Sequence, residues 1–213
     1  MNSHVNSEPE SIIQPSQKRG RDTQAKLVSA TLELLDEANF ESLSVADITG
    51  RAGVAVGTFY RRFTKKEALL PLLYDAYNRI FATWLAEIVK DEEFVSPDIE
   101  IRVRHLVVRL QAFFGLHAGL IRALHLNSRL NNEIVPAASR PLRRQSYAKV
   151  AELLYPLPEG ENSDDIASAI MLILLSTLTE SVVYPEQSPA SIAGLDNAQI
   201  VEVLTRAALS QLD

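Results

Sequence analysis

The sequence predicts an all-α protein: an N-terminal three-helix helix-turn-helix head followed by a larger helical body. Three observations carry that expectation. Apolar residues recur with a helical period along most of the chain, and capping residues stand where those periods begin. No stretch alternates apolar and polar residues as a half-buried strand does. Of the 213 residues, 46% are hydrophobic, enough for a sizeable core and too many for a wholly disordered chain.

The elements follow in order. Residues 1–20 read as a disordered arm, rich in Ser, Gln, Asn, Glu and Pro, closing on the basic Lys18 and Arg19. From Asp22 the period is helical, with Leu27, Val28, Thr31, Leu32, Leu35 and Ala38 on one face. Asn39 should end this helix in a left-handed conformation. Ser44 with Asp47 is a weaker relative of the capping box and opens a brief second helix that stops at Gly53. A third runs from near Ala55 to Phe63. Thr64 and Glu67 form a Thr-x-x-Glu capping box for a fourth, in which Pro71 should produce a bend. Ser96 and Pro97 mark a fifth start, for a helix running to about His117. A shorter helix covers Gly119 to Leu130. Pro136 and Pro141 leave the course of residues 131–141 open, and Leu142 to Tyr155 is again helical. Ser163 caps a long helix to about Tyr184, and Pro185 to Gly194 reads as a loop. Asp196 with Gln199 opens the last helix, which ends near Leu212. The organisation expected is an arm (1–20), a helix-turn-helix head (21–81) whose fourth helix links to the body, and a larger helical body (82–213).

Composition narrows the function. The net charge is −6, which alone argues against nucleic acid, but the distribution of charge points the other way. Residues 18–67 hold nine Lys/Arg against seven Asp/Glu, whereas residues 68–213 hold twelve against eighteen. The basic excess is local, and a DNA-binding surface needs only a local footprint. The absence of cysteine removes disulfides and thiolate metal sites. No His-Glu-x-x-His, Gly-x-Ser-x-Gly, phosphate loop or Glu-x-x-His signature occurs. The chain is therefore read as not an enzyme, with no catalytic residue, no metal ligand and no cofactor. The N-terminus lacks the apolar region of a signal peptide. The longest apolar stretch, Ile166 to Thr179 between Asp165 and Glu180, is shorter than the ~20 residues of a membrane span. A soluble, cytoplasmic protein with no membrane partner is expected.

The informative segment is SVADITGRAGVAVGTFYRRFTKK, residues 44–66. Two short helices separated by Gly-Val have helix-turn-helix spacing, with Gly53 supplying the positive φ of the turn. Ile48, Ala52, Val54 and Phe59 would lock the two helices and present the second to the major groove. With the helix before it, residues 21–70 resemble the head of the tetracycline-repressor (TetR-like) family. The matching elements are Phe40, Ser44, Ile48, Ala52-Gly53-Val54, the Gly-Thr-Phe-Tyr of residues 57–60, Phe63 and the Lys-Glu-Ala-Leu of residues 66–69. The chain departs from the family in Asn39, where Gly is common, and in Ala55, where Ser or Thr usually caps the recognition helix.

The DNA-contact candidates are Ser44, Val56, Gly57, Thr58, Tyr60, Arg61, Arg62 and Lys66. Gly57 permits close approach of the backbone, and Thr58 offers a hydroxyl and a methyl to base edges. Tyr60 and Arg62 suit phosphates, Arg61 a guanine edge or a phosphate, and Lys66 a flanking phosphate. The ordinary alternative is a core tyrosine beside a solvated basic face.

In the body, Ile166 to Leu178 is apolar on nearly all sides, which leaves a face for a second copy. Ile200, Val203, Leu204, Ala207, Ala208 and Leu212 add a stripe on the last helix. A four-helix bundle across a two-fold axis would result, as the resemblance also implies, and the homodimer would read a palindromic operator in double-stranded DNA. The resemblance further implies a small-molecule effector of unknown identity and, by family default, repression. Trp84, Phe113, Phe114, His117, His125, Asn127 and Tyr147 are the candidates for its cavity, core packing being the alternative for each. The rival to a DNA-binding regulator is a helical small-molecule-binding protein whose helix-turn-helix no longer binds DNA.

Overall fold

Helices form where the apolar period predicts them, and their ends are set by a few side chains. The computed structural model describes residues 18–155 and 163–212, and among these there is no strand. The head comprises α1 (Lys18–Leu35), α2 (Val45–Arg51) and α3 (Val56–Tyr60). The body comprises α4 (Leu70–Ile88), α5 (Ile99–Leu116), α6 (Ala118–Leu130), α7 (Ser139–Glu152), α8 (Ser163–Val183), the short α9 (Pro189–Ile192) and α10 (Asn197–Leu209). Of the expected arm, residues 1–17 lie outside the described residues. α1 begins at Lys18, inside the boundary the sequence suggested.

Several helix ends differ from expectation. Asn39 is extended (φ −71°, ψ 145°) rather than left-handed. α1 instead unwinds through 3-10-type bonds from Glu37 N to Leu34 O and from Asp36 N to Glu33 O. Thr64 caps nothing, and a 3-10 turn over Lys66–Leu69 precedes α4. Pro71 lies in the first turn of α4 and not inside it. It has no N–H to give the carbonyl four residues back, so the regular ladder starts around it rather than being broken by it. The expected mid-helix bend at Pro71 is therefore absent. Asp98, not Ser96, caps α5 by accepting from Glu100 N at 2.8 Å. The undecided stretch resolves into a 3-10 turn (Asn132–Ile134) and α7, which already contains Pro141 in its first turn.

α4 runs through the centre of the molecule. Leu69, Leu70 and Leu73 are buried at its head end, and Tyr77, Phe81, Leu85 and Ile88 at its body end. The segment Asp165–Val183 of α8 has a mean hydropathy of 2.0 and is, by length and composition, long enough to cross a membrane. This corrects the shorter apolar stretch read from sequence, because the helix continues past Asp165 and Glu180. Ala167, Ile170, Met171, Leu174 and Leu178 of α8 are buried, and the helix packs on α5, α6, α7 and α10. Its other side is thinly covered, since only 33% of the apolar window is buried.

Head and body meet along α6. Arg122 donates from Nε to the Val182 carbonyl of α8 at 3.0 Å and from a terminal nitrogen to Asn39 Oδ1 at 2.9 Å. Asn127 Nδ2 donates to Glu41 Oε1 at 2.8 Å, and the Tyr74 hydroxyl of α4 donates to the Leu124 carbonyl at 3.2 Å. Gly119 sits against the end of α1, where a β-carbon would overlap the Leu35 carbonyl. Backbone cannot step aside as a flexible side chain can. Gly119→Ala should therefore destabilise the protein by about 1–3 kcal/mol, although alanine is the better helix former by about 1 kcal/mol. Chemical denaturation monitored by circular dichroism checks the sign, and a variant as stable as the parent would show that α1 and α6 separate freely.

Candidate functional site

The second helix of the head is held at both ends. Ser44 and Asp47 form a reciprocal capping box: Asp47 N donates to Ser44 Oγ at 3.1 Å, and Ser44 N donates to Asp47 Oδ2 at 2.8 Å. The Ser44 hydrogen bonds hold the Asp47 carboxyl below its usual range. At the other end Arg51 reaches Glu37 of α1 at 2.9 Å and Glu33 at 3.6 Å. Ile48 and Thr49 are buried between. Gly53 then turns the chain at φ +64°, a value β-carbon residues resist. Val54 N closes the turn on the Thr49 carbonyl at 3.0 Å, and Ala55 starts α3 without a side-chain cap.

α3 has one inward residue. Phe59 is 0% exposed and packs on Phe63 at 5.1 Å between ring centroids, with the Tyr60 ring edge-on at 5.4 Å. The remainder faces outward. Val56 is 43% and Tyr60 53% exposed, so Tyr60 is not a core tyrosine. Gly57 and Arg61 are exposed, and Thr58 and Arg62 half-buried. Arg61 donates to Thr58 Oγ1 at 2.9 Å, which lays the guanidinium along the outer face of the helix. Arg61, Arg62 and Lys65 have no carboxylate partner among the described residues. Ser44 is exposed at the start of α2, but its hydroxyl is engaged with Asp47.

Lys66 has a different place from the phosphate contact expected of it. Its ammonium donates to the carbonyls of Phe40 at 2.7 Å, Glu41 at 3.0 Å and Leu43 at 2.7 Å, and lies 4.9 Å from the Phe40 ring centroid. All three donors are engaged. The side chain fastens the turn before α2 to the segment entering α4. Sequence alone offered no sign of this, since the acceptors are backbone atoms more than twenty residues away.

The body contains a cavity of about 870 Å³ between α6, α7 and α8. Of the residues expected at an effector site, His125 and Tyr147 line it. Burial, then Arg129 and Arg143, hold the His125 imidazole below its usual pKa. Burial pushes the Tyr147 phenol up. The other candidates do not line this cavity. Phe113 and Phe114 are buried core, and Trp84 packs on Phe113 and Phe81 at 4.9 and 5.1 Å. His117 ends α5 and rests on Phe113 at 4.7 Å, and Asn127 is the link to Glu41. Aromatic residues drew attention in the sequence, and the cavity's arginines did not. Arg129, Arg140, Arg143 and Arg144 form no motif in the chain and are gathered only by the packing of α6 against α7 and α8.

The family model for bacterial regulatory proteins of the tetR family matches residues 27–73, the stretch that holds this head. An uncharacterized HTH-type transcriptional regulator of Bacillus subtilis (strain 168) is 37% identical over 59 residues, which span 28% of this chain and 29% of that protein. Another from Mycobacterium bovis is 22% identical over 168 residues, covering 78% of this chain and 84% of that one. Two crystal structures share the fold across both head and body. A TetR transcriptional regulator from Rhodococcus sp. RHA1 superposes with a TM-score of 0.55 at 16% identity, over 92% of this chain and 98% of that one. A TetR family transcriptional regulator from Chloroflexus aurantiacus J-10-FL gives 0.52 at 18% identity, over 90% and 92%.

The placement of Lys66 generates a test. Hydrogen bonds to a charged group contribute about 1.5–3 kcal/mol each, and water replaces part of that at a half-buried site. Lys66→Met should lower unfolding free energy by about 2 kcal/mol, whereas Arg61→Ala on the exposed face should change it by less than about 0.5 kcal/mol. Urea titration of both variants decides. A Lys66→Met protein as stable as the parent would return this lysine to the DNA-contact candidates.

Proposed function

We propose that this chain, which belongs to the tetR family of bacterial regulatory proteins through residues 27–73, is a transcriptional repressor that binds a palindromic operator as a homodimer and leaves it when a small molecule enters the body. One observation carries the reading. Val56, Gly57, Tyr60 and Arg61 are exposed on a helix whose inward residue, Phe59, is fully buried. That is the arrangement of a helix meant for a groove. The basic residues beside it lack carboxylate partners among the described residues, so their charge is available to phosphates. Thr58 and Arg61, already hydrogen-bonded to each other, are positioned for base edges. Tyr60 and Arg62 suit the backbone, where they set register. Ser44 adds at most a backbone contact.

The dimer reading is supported by the thin cover on α8. Leu172 is 69% exposed in its middle, and Val203 of the neighbouring α10 is 42% exposed. A second copy placed there would complete a four-helix bundle of two α8 and two α10 helices. Coupling between body and head is supported by α6. It lines the cavity with His125 and Arg129 and holds the head through Arg122, Asn127 and Gly119. Since Pro71 does not bend α4, α6 is the element to which we assign transmission between body and head.

Gel shift against the DNA upstream of the chain's own gene tests the reading. The parent should bind that duplex, and Arg61→Ala should weaken binding about tenfold, within the usual 1–3 kcal/mol of a lost specific contact. Sedimentation should give twice the 23.6 kDa chain mass, and Leu172→Glu should shift it toward the monomer. A folded parent that ignores this duplex and random DNA alike would favour a ligand-binding protein without a DNA role.

A further inference from the structure

The cavity between α6, α7 and α8 has a chemical polarity that the sequence did not announce. Arg129 comes from α6 and Arg140, Arg143 and Arg144 from α7, whereas Glu180 is the one carboxylate of the lining among the described residues. This sits inside a body where acidic residues outnumber basic ones eighteen to twelve, so a third of the body's basic residues gather at one hollow. Elsewhere in the body three arginines pair with carboxylates: Arg104 with Glu202 at 2.8 Å, Arg109 with Asp91 at 3.1 Å and Arg206 with Glu202 at 3.7 Å. None of the four cavity arginines has a carboxylate partner among the described residues. Their neighbours are aromatic or neutral: Arg129 donates to the Tyr184 hydroxyl at 3.3 Å, and the Arg143 guanidinium stands 5.8 Å from the Tyr74 ring centroid. The facing wall on α8 sets Met171, Leu172 and Leu175 among the polar Ser168, Ser176 and Thr179.

We propose that this cavity binds an amphipathic organic anion. Its carboxylate or phosphate would be held by the guanidiniums of Arg129, Arg140, Arg143 and Arg144, and its apolar body would lie on Met171, Leu172 and Leu175. The guanidinium fork suits planar or tetrahedral oxyanions and is weakly hydrated, so it gives up water for them more readily than lysine does. A volume of about 870 Å³ falls within the range of organic-ligand sites and far exceeds what a bare inorganic ion fills. A cationic ligand would face four like charges with Glu180 as the opposing carboxylate. A neutral one would leave the arginines without a counter-charge. The arginines lie on α6 and α7, whereas the face assigned to a second copy lies on α8 and α10 and shares Leu172 with the cavity, so a partner bears on the apolar wall and not on the sign of the ligand. The inference rests on the effector reading only in naming this cavity as the effector site.

Isothermal titration calorimetry on the full chain without DNA tests the ligand class separately from the regulatory role. The probes are decanoate and 2-naphthoate, their neutral counterparts 1-decanol and 2-naphthol, decylammonium, and inorganic phosphate. At least one organic anion should bind ten times more tightly than its neutral counterpart, with decylammonium and phosphate weaker still. Arg143→Gln combined with Arg144→Gln should weaken the anion at least tenfold and leave the neutral compound within twofold. Restored lysines (Arg143→Lys, Arg144→Lys) should recover part of the loss, and circular dichroism confirms that the variants fold. Equal binding of anion and alcohol, preference for the ammonium, an unaffected glutamine variant, or no binding by either anion each overturns the proposal. An anion that binds as described yet leaves operator affinity unchanged would instead count against the regulatory reading. An operator released only by neutral or cationic compounds would keep that reading and reject the anion.

Discussion

Five residues cannot hold a helix by their own hydrogen bonds, and the recognition helix of this protein is five residues long. Nucleation costs more than so short a ladder returns, and neither a side-chain cap nor strong propensity helps at Ala55, Val56 or Gly57. The helix exists because Phe59 is buried. Replacing a core phenylalanine by alanine typically costs about 3–5 kcal/mol, more than the helix could contribute by itself. The surroundings of Phe59 are fixed in turn by the Gly53 turn, by Arg51 on the acidic face of α1, and by Lys66 on the carbonyls of residues 40, 41 and 43. The outward residues of α3 are thereby free of structural duties. That division, one anchor inward and the rest outward, permits the outer residues to vary without loss of the fold.

Lys66 also shows how charge can mislead when it is counted by segment. The local basic excess of residues 18–67 includes Arg51 and Lys66, and the structure commits both to the head itself. Of the seven cations that remain, Arg61, Arg62 and Lys65 stand beside α3 with no carboxylate partner among the described residues. The electrostatic footprint is smaller than the sequence count but better placed. Surface pairs such as Arg51 with Glu37 add little stability alone, yet they decide which cations are left over.

The fold class and most helices were legible because periodicity and capping are local properties of a chain. Gly53, Asp196 with Gln199, and the limits of α5, α6 and α8 came within a few residues of expectation. The failures share one cause. Asn39, Thr64, Ser96 and Pro71 were judged by their own propensities, whereas a distant partner decided Asn39, a neighbouring cap Ser96 and a missing donor Pro71, and nothing in the structure explains Thr64. Asn39 is extended and is held by Arg122, eighty-three positions away. Ser96 yields the cap to Asp98, and its own carbonyl accepts from Arg102. The interior of the body was the least legible part. Helical spacing tells which residues share a face, but not which faces meet, so aromatic candidates such as Trp84 and Phe113 became core while four arginines became a cavity wall.

The geometry of α6 gives the link between cavity and head its physical form. Successive residues on an α-helix are about 100° apart, so Asn127 points about 200° away from both His125 and Arg129. One face of α6 therefore borders the cavity while the opposite face holds Glu41 of the head. A helix moves as a rigid rod over this distance, so a ligand that draws Arg129 inward displaces Asn127 by a similar amount. At the other end, Gly119 abuts the Leu35 carbonyl with no room for a β-carbon, and such a contact has no slack to absorb a shift. Displacement of α6 must then move α1 or break the Arg122 and Asn127 hydrogen bonds, and either outcome repositions the scaffold on which Phe59 holds the recognition helix. Under the proposed function reciprocity would follow from the same rigidity: DNA that fixed α1 would also fix α6, and would make the cavity accept a ligand less readily by the same factor.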